Sequence, residues 1–115
     1  MIKYSIIIAL FLGCMHIGFA QQKDIQTDTI LVTGNCGMCK TRIENAAYIN
    51  GVKRADWDKN TQQLIVVYKP SKINKITIER TIAAAGHDTK NVKADSNSYS
   101  KLPACCSYRD HNHTH

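Results

Sequence analysis

Between Thr29 and Lys93 the apolar pattern switches twice from a strand repeat to a helical one and back, and that order leaves few folds open. Thr29-Ile30-Leu31-Val32-Thr33 is a β-branched run ended by Gly34-Asn35, and it reads as a strand. From Gly37 to Ile49, Cys39, Ile43 and Ala46 or Ala47 recur at helical spacing, and Gly51 stops the helix. Val52 to Asp58 then alternates Val52, Arg54, Asp56 and Asp58 with Lys53, Ala55 and Trp57. This is a half-buried strand whose inward face the pattern does not decide. Lys59-Asn60-Thr61 turns the chain into Gln63 to Lys69, the strongest strand, so the two form a hairpin.

Pro70 closes that strand. Asn74 is a good helix N-cap, with Ile73 before it placed to staple onto Ile78. Ile78, Ile82 and Ala85 share a face, and Gly86 supplies the C-terminal stop. Asp88 to Lys93 is a last, weakly patterned strand. The expected fold is α+β, a ferredoxin-like βαββαβ sandwich: a four-stranded antiparallel sheet with two helices on one face.

Both ends carry something else. Of the chain's 50 apolar residues 15 lie in the first twenty positions, leaving 35 for the other 95 residues, enough for one small domain. Lys3, the apolar Ile6 to Phe19 and the small residues of Gly18-Phe19-Ala20 have the form of a signal peptide over residues 1–20, which implies export to the periplasm or another extracytoplasmic space. An uncleaved anchor, or lipidation at Cys14 in Phe11-Leu12-Gly13-Cys14, are the alternatives. Residues 21–27 then form a linker, 28–93 the domain, and 94–115 a tail rich in Ser, Asn, Tyr and Lys. Without residues 1–20 the net charge is 14 − 9 = +5, with the basic residues scattered and no aromatic platform among them, so nucleic-acid binding has no support. No Ser/His/Asp order, paired buried carboxylates or Gly-rich phosphate loop is present, which argues against an enzyme.

The chemistry concentrates in Asn35-Cys36-Gly37-Met38-Cys39-Lys40. Two thiols three positions apart at a strand–helix junction can converge on one small sphere. The first helical turn favours a thiolate at Cys39. Convergent thiolates suit a soft ion, above all Cu(I), whereas structural zinc normally takes four ligands. Two other readings stand beside this one: a thioredoxin-type redox pair, although Pro70 and Pro103 are badly placed for that fold, and a structural disulfide.

Strand, Gly34-Asn35-Cys36-Gly37-Met38-Cys39, a helix opening Lys40-Thr41-Arg42-Ile43-Glu44, then Asn50-Gly51-Val52, together resemble the heavy-metal-associated domain family. Pro70, Ile78, Ile82 and Ala85-Gly86-His87 match its second helix and the following loop, so the resemblance covers about residues 28–93. It implies a metallochaperone-like role: Cu(I), or Hg(II) or Zn(II), is held by Cys36 and Cys39 and passed by thiolate exchange to a protein partner such as a membrane transporter. The chain would act as a monomer or a metal-bridged dimer. One departure is plain. The family usually has Met two residues before the first Cys; here that position is Gly34, and Met38 lies between the cysteines as a solvent-side residue or a weak thioether neighbour.

His87 falls where the family's loop approaches the CxxC, so it is a candidate third ligand or a hydrogen-bonding partner that tunes the site. Against both stands an ordinary exposed histidine. In the tail, Cys105 and Cys106 precede His111, His113 and His115, a soft-to-borderline metal tract. Vicinal cysteines pair poorly with each other. The tail either completes a four-thiolate site with the CxxC, or forms a second, labile loading site, or pairs with the CxxC in disulfides, or is disordered.

Overall fold

The computed structural model describes residues 24–111; the expected signal segment 1–20 with Cys14, the residues His113 and His115, and the side chain of His111 lie outside what is described. The elements are β1 (Gln26–Leu31), α1 (Gly37–Ala47), β2 (Val52–Asp58), β3 (Gln63–Tyr68), α2 (Lys75–Ala84), α3 (Ser96–Ser100), a 3-10 turn (Ala104–Cys106) and α4 (Tyr108–His111). Strand β3 is central, pairing antiparallel with β1 on one side and β2 on the other. Its alternation buries Leu64, Val66 and Tyr68 and leaves Gln63 and Ile65 outside. Helix α1 contributes Cys39, Ile43 and Ala47 to the core, and α2 contributes Ile78, Ile82 and Ala83. No helix among the described residues is long and apolar enough to cross a membrane.

Three features differ from the sequence expectation, each for a local reason. Strand β1 starts at Gln26, inside the expected linker, because its ladder with β3 runs from Gln26↔Tyr68 to Leu31↔Gln63. In β2 a bulge between Val52 and Arg54 shifts the parity of the strand, so Val52 and Trp57 are both buried although they sit in opposite alternation classes. Among the described residues the sheet has three strands. Residues 88–93 make one antiparallel bridge, Val32↔Thr89, where a fourth strand was expected. Pairing stops because the chain curls: Thr89 N–H donates to Val92 O at 2.8 Å, and Asn91 donates from its backbone and side chain to the buried carboxylate of Glu79.

The stretch after Ala94 is folded through Asp110 rather than a loose tail. Asp95 caps α3 through Ser98 N–H at 2.6 Å, and Leu102, Cys106 and Tyr108 enter the core. Gly86 makes room for this segment. Its φ of +104° suits glycine, and a Cβ there would meet Leu102 Cγ and Cδ2 and Ser98 O at 2.9 Å. Arg109 fastens the far end, donating to Asp88 Oδ1 and Ala94 O at 2.7 Å while its guanidinium lies 4.4 Å from the Tyr99 ring centroid.

Candidate metal centre

The loop between β1 and α1 is held by what surrounds it. Gly34 N–H donates to Gln62 Oε1 at 2.9 Å, and the indole of Trp57, 1 % exposed, donates from Nε1 to Val32 O at 3.0 Å. The Trp57 ring closes over Gly34 so tightly that a Cβ would lie 3.0 Å from Trp57 Cη2 and Cζ2 and from Cys39 Cβ. The Trp57 ring, from β2, thus occupies the space that a side chain at position 34 would need. Lys40 ties α1 to β2 by donating to Glu44, Asp56 and Trp57 O at 2.6, 2.9 and 2.8 Å.

Cys36 is the extended N-cap of α1, at φ −151° and ψ 175°, and Cys39 points from the first turn into the core. Their sulfurs are 3.5 Å apart. A third sulfur, Cys106 Sγ, lies 3.7 Å from Cys36 Sγ, and all three fall within 4.8 Å of one another. Three thiolates around one ion at a metal–sulfur distance of about 2.3 Å would be separated by about 4.0 Å. Small adjustments therefore admit an ion among them. Cys39 and Cys106 are fully buried, and only Cys36 keeps partial exposure.

Burial pushes the Cys36 thiol up, but the backbone N–H groups of Cys39 and Met38 and the thiols of Cys39 and Cys106 outweigh it and bring it down to about 7. Burial, together with hydrogen bonding to the other thiols, raises the Cys106 thiol far above the ordinary range. Without metal the surroundings thus favour a thiolate at Cys36 and a protonated Cys106; loading an ion would expel the Cys106 proton. Cys39 Sγ donates to Asn35 Oδ1 at 3.0 Å, so a thiolate at Cys39 requires the Asn35 amide to present its NH₂ instead.

His87 lies outside this cluster. It is fully buried, its Nδ1–H donates to Thr33 O at 2.9 Å, and its ring stacks on Tyr108 with centroids 5.5 Å apart. Nε2 then carries the lone pair and has no hydrogen-bond partner, and burial, more than any neighbouring charge, lowers the pKa of the ring. Cys105 also stays out of the cluster. It is exposed at the rim, its sulfur 3.9 Å from Cys106 Sγ and 3.3 Å from Met38 Sδ. Sequence reasoning missed Trp57 and Tyr108 as supports. A lone tryptophan in a short strand and a tyrosine two residues after Cys106 are their only signals.

No protein-family model matches the sequence. Over 76 residues the chain is 33 % identical to a zinc-transporting ATPase of Synechocystis sp., a match covering 64 % of this chain and 10 % of that protein. Among solved structures it is similar to a CopZ metallochaperone, at 32 % identity and TM-score 0.54, over 56 % of this chain and 98 % of that one. Oxidized MerP from Ralstonia metallidurans aligns at 26 % identity and TM-score 0.54, over 57 % of this chain and 94 % of that one. With the strand–CxxC–helix junction and the helix-covered antiparallel sheet, these similarities show that the chain belongs to the heavy-metal-associated domain family.

Proposed function

We propose that this protein binds Cu(I) outside the cytoplasm through Cys36, Cys39 and Cys106 and passes it to a partner by thiolate exchange. The observation that carries the reading is the convergence of three cysteine sulfurs within 4.8 Å, two of them fully buried. A largely buried, all-thiolate set of three suits a soft ion of low coordination number, while structural zinc would want a fourth ligand that the cluster does not include. Export rests on the signal-like residues 1–20. The partner best suited to the chemistry is a membrane transporter presenting its own thiolates, in keeping with the similarity to an ATPase and to a metallochaperone.

The test is anaerobic titration of the reduced protein with Cu(I) against a chromophoric chelator, in the wild type and in Cys36→Ser/Cys39→Ser. One tightly bound equivalent that disappears in the double variant supports the reading. Weak binding in the wild type refutes it. Tight binding that survives the double substitution moves the chemistry to Cys105, Cys106 and the histidines after them.

A further inference from the structure

We propose that Cys105 and Met38 form a surface transfer station through which Cu(I) enters and leaves the buried three-thiolate cluster, an inference that rests on reading that cluster as a Cu(I) site. Burial narrows the direct route. Cys39 and Cys106 are both 0 % exposed, so a partner's thiolate could reach an ion in the cluster directly only beside the partly exposed Cys36. The sulfurs form a continuous series outward: Cys39 to Cys36 3.5 Å, Cys36 to Cys106 3.7 Å, Cys106 to Cys105 3.9 Å, and Cys105 to Met38 3.3 Å. Its two outer members are exposed, Met38 to 55 %, whereas Cys39 and Cys106 are fully buried and Cys36 is partly open. The outer two residues come from different elements, the first turn of α1 and the 3-10 turn, yet the Cys105 thiol donates to the Met38 thioether at 3.3 Å. Met38 also keeps its side chain out of the core, which a methionine in an apolar role would fill.

The exchange balances without redox chemistry. Cu(I) held by the Cys105 thiolate and the Met38 thioether gains a bond to Cys106, whose thiol releases its proton to solvent. The Met38 and Cys105 bonds then break as Cys36 and Cys39 engage; the Cys39 thiol, which had donated to Asn35 Oδ1, releases its proton to solvent, and Cys105 takes one up. Copper stays Cu(I) throughout; three Cu–S bonds form and two break, so its coordination rises from two at the rim to three in the cluster. The outward path is the reverse, ending with a partner thiolate on an ion held at the rim.

The experiment is stopped-flow transfer of Cu(I) from a chromophoric chelator complex into the reduced protein, and back into excess chelator, in the wild type, Met38→Leu and Cys105→Ser. A neighbouring ligand acts at an effective concentration in the millimolar range, so losing it should slow transfer in both directions by roughly tenfold or more. Stoichiometry and affinity should stay within about twofold of the wild type, since neither residue belongs to the resident set. Unchanged rates with intact binding overturn the station and leave the metal site standing. A large loss of affinity in Cys105→Ser also overturns it, by making Cys105 a resident ligand. Failure of the wild type to bind Cu(I) refutes the site itself, and the station with it.

Discussion

Tyr108→Phe tests whether a single hydroxyl clamps the segment that carries Cys106. Tyr108 is 3 % exposed; its hydroxyl donates to Gly86 O at 2.7 Å and accepts from Asp88 N–H at 2.9 Å. Phenylalanine keeps the ring, the stacking on His87 and the edge-on contact with Tyr99, so only the two hydrogen bonds are lost. Each backbone group left unsatisfied costs roughly 1–3 kcal/mol. The low end applies to both, because a phenylalanine leaves room for partial relaxation, and the sum is about 2 kcal/mol. At about 1.4 kcal/mol per tenfold, the fraction of molecules with the segment undocked rises about thirtyfold. Cys106 is fully buried when the segment is docked, so its alkylation reports that fraction directly. Per-cysteine iodoacetamide rates, read by mass spectrometry on reduced metal-free protein, should rise about thirtyfold at Cys106 and stay constant at the exposed Cys105. Equal Cys106 rates in variant and wild type would refute the clamp.

Other substitutions probe the site itself. Cys106→Ser should weaken Cu(I) binding roughly a hundredfold, about 2.8 kcal/mol, by chelator competition; unchanged affinity would remove Cys106 from the ligand set. Gly34→Ala forces a methyl group against the Trp57 ring and Cys39 Cβ and should destabilise the fold by roughly 1–3 kcal/mol, seen as a lower urea midpoint with an unchanged slope. The Cys36 thiol is more acidic folded, at about 7, than the ordinary thiol at 9.0, so its contribution to stability is present above the ordinary value and is lost as pH falls through about 7. The urea midpoint of the metal-free protein should therefore rise across that interval, and the rise should vanish in Cys36→Ser.

What the sequence made legible was whatever had a period. Helix α1, helix α2 and strand β3 each bury one face of a regular repeat, and Asn74 caps α2 through Thr77 N–H at 2.9 Å, as its residue type implies. Strand β2 was ambiguous because a bulge breaks its alternation, and a bulge leaves no trace in residue types alone. The segment after Ala94 was opaque for a different reason. Helices of five and four residues are too short to show a repeat, and Ser and Asn favour turns and caps by composition. Its order comes from tertiary anchors, Leu102, Cys106 and Tyr108, and from the space that Gly86 leaves for Leu102. The paired cysteines of the CxxC announced a thiol site; that one of the two distal thiols completes the cluster while its neighbour faces Met38 depends on how the 3-10 turn is oriented, which spacing does not encode.

In the proposed site a third thiolate delivered by a docked segment would couple metal retention to folding, and this would give the two exits different signatures. Docking and ligation by Cys106 must favour each other by the same free energy. In the wild type the docked form dominates already, so weakening the clamp by about 2 kcal/mol changes equilibrium affinity little until the undocked form is well populated. Release is another matter. An ion that leaves by undocking does so at a rate proportional to the undocked fraction and should speed up about thirtyfold in Tyr108→Phe. An ion that leaves through Cys105 and Met38 does so with the segment in place. It should be indifferent to Tyr108→Phe and slowed by Cys105→Ser. Measuring Cu(I) release in both variants therefore distinguishes a segment that opens from one that stays closed and hands the ion outward along its sulfurs. Release that accelerates in Tyr108→Phe and ignores Cys105→Ser would make the segment a gate.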